Sequence, residues 1–307
     1  MSHPMDQNNS PLVSIIIVTW NCRLYVLQCL ETIYANTDVD FEVIVWDNGS
    51  TDGVCQAIRE IYPAVNLIDN DQNVGFAKAN NEAIKKAKGR YLLLLNPDTE
   101  IFPTTLAEFI KTAEAHGNQA MIVPTLLNSD GTIQPSRHSF LTISGIARKI
   151  LVQIRRLRAQ DISDSELQVD WAIGACWFFP MTMFQIVGEL DANLFMYGED
   201  WDYCLQVHRA GFDIIWASQI QVVHHGNVSG QQKWGNQRLV KGHQAVIYFW
   251  LKNFSLPYAV VMIIIRILYI LAKTILTPNR ELLGQGIALA RACLDKSMWS
   301  LYYSTRQ

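Results

Sequence analysis

YLLLLNPD, residues 91–98, is the stretch that decides the fold. An apolar run without alternation reads as a strand covered on both faces, the kind that parallel sheets use. Asn96-Pro97 ends the run, because proline offers no N–H to a ladder and restricts the residue before it. Asp98 is thereby left at the carboxyl end of the strand. Upstream, Ser14–Thr19 and Phe41–Asp47 repeat the pattern, with helical spacing at 23–35 and about 53–61 and a short strand around 65–69. Residues 77–87 have helical spacing, Pro103 opens a helix that runs to about His116, and 121–123 supply another strand. Strands alternating with helices predict right-handed βαβ units, hence an α/β domain with a mostly parallel sheet.

The second half is less regular. Strands are predicted near 170–179, 212–216 and 220–225, and helices at 140–160, 181–187, 200–210 and 238–252. There is no internal repeat. The expected organisation is a disordered leader at 1–11, one catalytic domain at 12–253 and a C-terminal helical segment at 254–307.

The chain has 307 residues, half of them hydrophobic and 17% charged, with a net charge of -3. That composition is globular, and it lacks the basic field that would point to nucleic acid. Six cysteines form no CxxC pair and no Cys/His cluster, so they read as reduced thiols in a cytosolic protein. The polar start, Met1–Pro11, has no apolar signal-peptide core, and secretion is not expected. Residues 256–276, LPYAVVMIIIRILYILAKTIL, are nearly apolar enough to cross a bilayer. Arg266, Tyr269, Lys273 and Thr277 recur at helical spacing as one polar stripe. The stripe favours a helix lying peripherally in the membrane interface over a lipid-surrounded span. Burial within the protein, or packing on a second copy in a homodimer, is the alternative. Basic residues at 148, 149, 155, 156 and 158 add a face for anionic lipid or a lipid-diphosphate, or a solvated helix face.

Ligands of open α/β sheets gather beyond the carboxyl ends of the strands. Four polar clusters fall there: Thr19/Asn21, Asp47/Asn48/Ser50, Asn73–Asn81 and Asn96/Asp98. Each alone is an ordinary set of turn formers; their shared location is the signal. Neither a GxGxxG nor a GxxxxGK[ST] loop is present. Asp98 can hold Mg²⁺ or Mn²⁺, or serve only as a hydrogen-bonded turn residue. In Tyr197-Gly-Glu-Asp-Trp-Asp202, three carboxylates open a helix, where capping accounts for one and a general base for another. His224 and His225 follow a strand and precede Gly226.

Taken together, these segments resemble the family-2 glycosyltransferases of the GT-A fold, in their rhamnosyltransferase-like branch. The matching stretches are VSIIIVTWN (13–21), EVIVWDNGSTDG (42–53), NVGFAKANN (73–81), LLLLNPDT (92–99), FMYGEDWDYCLQVHRAG (195–211) and VVHHGNVSG (222–230), over about residues 12–252. The resemblance implies a Rossmann-like mixed sheet that binds a nucleotide diphosphate sugar. Thr19 and Asn21 resemble the first nucleotide loop, Asp47 the acidic residue that meets the pyrimidine, and Asn73, Gly75 and Phe76 the second loop. Asn96-Pro-Asp98 stands where relatives carry DxD, so Asp98 resembles the metal ligand and the first Asp is absent. Asp200 resembles the catalytic base, with Glu199 beside it, and His224, rather than His225, the histidine near metal and diphosphate. Gln206 stands where relatives often carry Arg, and Gly174-Ala175 resembles the start of the acceptor-side strand.

The implied activity is a Mg²⁺- or Mn²⁺-dependent, inverting transfer of a sugar from a dTDP- or UDP-sugar. Rhamnose is favoured over another hexose or galactofuranose. The implied acceptor is a lipid-linked or cell-surface glycan, met at the inner face of the cytoplasmic membrane. Two rivals are weaker. A nucleotidyltransferase would carry a Gly-rich basic loop, absent from 14–21, and a non-catalytic GT-A scaffold would have lost one of Asp98, Glu199 and Asp200.

Overall fold

The computed structural model describes residues 10–37, 39–140, 142, 166–226, 238–276 and 280–295. Four parallel strands form one half of the sheet: β1 (Val13–Thr19), β2 (Phe41–Asn48), β3 (Asn66–Asn70) and β4 (Tyr91–Leu95). Their connections are α1 (Arg23–Asn36), α2 (Val54–Ile61) and α3 (Phe76–Ile84). After β4 come β5 (Thr99–Ile101), α4 (Thr105–Ala115), β6 (Ala120–Leu127), β7 (Arg137–His138), β8 (Glu166–Gln168) and β9 (Trp171–Ala172). Then follow β10 (Cys176–Pro180), α5 (Met181–Val187), α6 (Glu199–Arg209) and β11 (Asp213–His224). Three helices close the described chain: α7 (Arg238–Asn253), α8 (Leu256–Leu276) and α9 (Arg280–Leu294).

The sheet order is β3-β2-β1-β4-β10-β6-β11-β5, with β8 also against β11. Strand β10 runs antiparallel between β4 and β6, which makes the sheet mixed, as the sequence predicted. The unbroken apolar strands are explained by two covered faces. Ile15, Ile17, Leu93 and Leu95 pack with α1, α2 and α4, while Ile16, Leu92 and Leu94 pack with residues of α3, α5 and α6 on the other face.

Several boundaries differ from the sequence reading. The strand predicted at 170–179 is two short strands broken at Gly174-Ala175, and the two predicted at 212–225 are one strand whose register shifts between Ala217 and Gln221. β5, β7 and β8 are too short for periodicity to reveal. The predicted helix at 140–160 and its basic residues lie outside the described residues.

A third cluster joins α7, α8 and α9 through Val246, Trp250, Ala259, Met262, Ile270, Leu289 and Ala292. Here the expected polar stripe of α8 is corrected. Arg266 turns inward, its Nε donating to Nδ1 of His243 on α7 at 3.2 Å, while Tyr269 and Lys273 face outward. Tyr269 and Lys273 are therefore exposed where Arg266 is partly covered, and Thr277 lies outside the described residues. Packing against α7 and α9 fixed the rotation of the helix, and an internal hydrogen bond compensates for covering the charge.

Candidate active site

The carboxyl ends of three strands present a row of polar residues in register, Thr19 beside Asp47 and Asp47 beside Asp69. Thr19 is fully buried with its Oγ1 3.2 Å from Cys22 Sγ, so its side chain braces the loop. Asn21, at φ 49°, donates its N–H to Ser50 Oγ (2.8 Å) and accepts from Thr51 N (2.8 Å), tying the first two loops together. Asp47 accepts from Ser50 N at 2.9 Å. Its second oxygen is buried without a hydrogen-bond partner among the described residues, a group free to meet a ligand donor.

The second loop closes over this row. Asn48 bridges it, accepting from Val74 N (2.9 Å) and donating to Gly75 O (3.3 Å), and Asn73 accepts from Gly75 N at 3.1 Å. Gly75 has φ 89°, and a Cβ there would stand 2.7 Å from Phe195 O. The glycine thus lets the loop touch the segment before α6, where Phe76 N donates to Phe195 O at 2.9 Å. Phe195, which the sequence reading left without a role, links the two halves of the site.

On the other half, Asn96 N donates to Ala175 O at 2.9 Å. His224 pairs with Thr99 in the β11–β5 ladder, and its Nε2 lies 3.5 Å from Asp98 Oδ1 and 3.5 Å from Asn96 Nδ2. Its Nδ1 is 2.7 Å from Gln134 Oε1, which can only accept, so Nδ1 donates to it and Nε2 is the ring nitrogen turned toward Asp98. An oxygen and a nitrogen donor suit Mn²⁺ or Mg²⁺ completed by diphosphate oxygens and water, so the residues fit such an ion.

His225 is differently employed: its Nε2 lies 2.6 Å from Glu100 Oε1, its Nδ1 2.7 Å from Ser129 Oγ, and its N–H donates to Asp98 O. Asp47, Asp69 and the Cys55 thiol also converge within 4.8 Å of one another. Burial, then the two carboxylates, push that thiol up to about 12, which leaves it protonated and a poor ligand for a hard cation.

The helix α6 starts at Gly198, φ 95°, preceded by Tyr197 at φ 72°, a strained conformation for a bulky residue. The three acidic residues of its first turn have separate fates. Asp202 is taken by Lys252 Nζ (2.7 Å) and Asn253 Nδ2 (2.8 Å) of α7 and serves structure. Glu199 is half-buried, its Oε2 covered and lacking a hydrogen-bond partner among the described residues. Burial, reinforced by the charge of Asp200, holds its pKa well above the usual carboxylate range. Burial also raises Asp200, against N–H donors from Trp201 and Gly174 that work the other way. Gly174-Ala175 therefore carries Asp200 on one side and Asn96 on the other.

Gln206 Nε2 and Arg209 Nη1 both donate to Asn253 Oδ1, at 3.2 and 2.7 Å. Gln134 and Lys252 escaped the sequence reading, since only tertiary proximity gives them roles.

The family model described as glycosyl transferase family 2 matches residues 14–174, just over half of the chain. The chain belongs to this family. A family relative, the N-acetylglucosaminyl-diphospho-decaprenol L-rhamnosyltransferase of Mycobacterium tuberculosis, is 25% identical over 233 residues, covering 70% of the chain and 76% of the relative. Among solved structures, the mannosyltransferase of Pyrobaculum calidifontis in complex with GDP-Man and Mn²⁺ is similar with TM-score 0.53 at 18% identity, over 97% of this chain and 85% of that one. GalNAc-T7 with UDP, GalNAc and Mn²⁺ gives 0.57 at 17% identity over 80% of this chain, which spans about half (51%) of that protein. These likenesses show the GT-A fold, and the family supplies glycosyl transfer as the reaction class.

Proposed function

We propose that the protein is a metal-dependent, inverting glycosyltransferase that moves a sugar, rhamnose in first place, from a dTDP- or UDP-sugar. The acceptor is a hydroxyl of a lipid-linked or cell-surface polysaccharide at the inner face of the cell membrane. The observation that carries the reading is that Gly174-Ala175 holds Asp200 through Gly174 N and Asn96 through Ala175 O, with Asn96 Nδ2 3.5 Å from His224, the neighbour of Asp98. The activity of the mycobacterial relative supports rhamnose and a polyprenyl-linked acceptor, and the Mn²⁺ bound in the two similar structures supports the metal. Residues 12–253 act as the catalytic domain and 254–307 as an appended helical segment.

Asp47 accepts from the pyrimidine, and the loops around Thr19, Asn21, Asn73, Gly75 and Phe76 enclose the nucleoside. Asn96, Asp98 and His224 face the diphosphate; a divalent cation held by Asp98 and His224 would offset charge on the leaving group. Asp200 accepts the proton of the acceptor hydroxyl as its oxygen bonds to the anomeric carbon from the face opposite the departing diphosphate. One displacement inverts that centre. Burial and the neighbouring charge of Asp200 raise Glu199 and favour its protonated form, which suits Asp200 to act as the base.

A panel of dTDP- and UDP-sugars with Mg²⁺ or Mn²⁺ and membrane extract as acceptor source tests this. The expected result is release of one nucleotide diphosphate, abolished by Asp200→Asn. Full release in Asp200→Asn removes Asp200 as base. Release from a UDP-hexose or UDP-galactofuranose alone replaces rhamnose, and nucleotide binding without release from any donor supports the scaffold reading.

A further inference from the structure

The outward side of α8 is unusual for a protein surface. Val260, Ile264, Ile267, Leu268, Leu271 and Ile275 recur at helical spacing and are between 37% and 77% exposed among the described residues. The helix has 21 residues with mean hydropathy 2.3 in its most apolar window, of which 17% is buried, and it is about 31 Å long. A contiguous apolar face of that size marks a docking surface.

Three observations choose the occupant. The face is aliphatic throughout, whereas protein interfaces concentrate aromatic residues, Met and Arg behind a polar rim. Arg266, the one charge in the middle of the helix, is withdrawn to His243 on the opposite side, and Lys273 stands 6.0 Å from the Tyr269 ring near one end, an arrangement suited to headgroup depth. Charge is also divided unevenly: residues 254–307 hold six of the 25 Lys and Arg but two of the 28 Asp and Glu, giving +4 against -7 for the rest. A positive appendage on a negative enzyme is complementary to anionic lipid.

We infer that α8 lies in the plane of an anionic bilayer with this aliphatic face in the headgroup and acyl boundary. The opposite face is packed on α7 and α9 through Ala259, Met262, Ile263 and Ile270, so lipid cannot surround the helix as it would a span. Docking through α8 also sets the height of the active site. A Cβ on Gly198, the residue before Glu199, would stand 2.9 Å from Ala245 Cβ of α7, and Lys252 of α7 binds Asp191 and Asp202 at 2.7 Å each. The start of α6 is thus mounted on α7, which packs against the membrane-facing helix α8. That consequence rests on the proposed lipid-linked acceptor; the docking itself does not.

The test is sedimentation of the full chain with phosphatidylcholine vesicles, with and without phosphatidylglycerol, in the absence of donor and acceptor. Binding to the anionic vesicles is expected, reduced about tenfold or more by Ile264→Glu with Leu268→Glu, which circular dichroism should show to be folded. Release by alkaline carbonate is expected of an in-plane helix. Retention after that wash would overturn the orientation. Unchanged binding of the double variant would overturn the assigned face, and a dimer in sedimentation equilibrium that the same substitutions split, without vesicle binding, would assign the face to a second copy. Because no turnover is measured, failure here leaves the donor panel untouched, and failure there leaves docking intact.

Discussion

Asp200 and Glu199 share one half-buried helix start, and their environment determines which can act. Burial raises both, and Glu199 has no hydrogen-bond partner at Oε2 to offset it. Asp200→Asn is expected to lower kcat by roughly 10²–10⁴ while leaving nucleotide affinity near the parent value, as read by steady-state kinetics and calorimetry. The base works deprotonated, so the acid limb of the pH–rate profile should stand above the ordinary carboxylate range. Stability carries the opposite sign. A carboxyl with a raised folded-state pKa holds a proton in the native state that the unfolded chain has lost, so stability falls as pH rises between the two pKa values. Glu199→Gln removes that slope, and its advantage in Tm should grow from pH 5 to pH 8 by a few degrees in thermal melts. Gly75→Ala forces both a positive φ and a Cβ against Phe195 O. It should cost about 1–3 kcal/mol in denaturant unfolding and weaken nucleotide binding.

At the scale of elements, the site depends on where strands and helices stop. β11 ends at His224, and the 126–134 turn places Gln134 to fix its ring. Gln134→Ala should raise the Mn²⁺ concentration for half-maximal activity by about 10–100-fold in a metal titration, with nucleotide affinity little changed. Helix α7 holds α6 through Lys252, whose loss leaves Asp191 and Asp202 without their cation. Lys252 is 24% exposed, so the cost of Lys252→Met is discounted from that of a fully buried pair, to about 2–3 kcal/mol in urea unfolding.

For the whole molecule, the core is built on the two faces of the sheet and among α7, α8 and α9, and none of its clusters passes through Asp98 or His224. Chelation by EDTA is therefore expected to abolish transfer reversibly while the far-UV circular dichroism spectrum is unchanged. An enzyme whose turnover survives exhaustive chelation would refute the metal-dependent reading. The layered architecture also separates the proposed duties, with the proposed nucleotide loops on the parallel half of the sheet and His224, a candidate cation ligand, on the mixed half.

What the sequence determined by itself was the parallel half. Runs such as Val13–Thr19 and Tyr91–Leu95 are apolar without alternation, and only burial on both faces satisfies them, so their strands and the polar residues at their ends were legible. Motif order then gave the family, along with Asp98, Asp200 and His224 as candidates. The tertiary structure alone decided how identical residue types divide their work. Asp202 and Asp200 are two positions apart, yet Lys252, fifty residues later, takes only Asp202; His224 and His225 are adjacent, yet alternate along a strand toward opposite partners. Arg266 looked like part of an outward polar stripe because periodicity measures angle around a helix and not which side a neighbour covers. Long-range contacts supply that missing reference, and no local pattern encodes it.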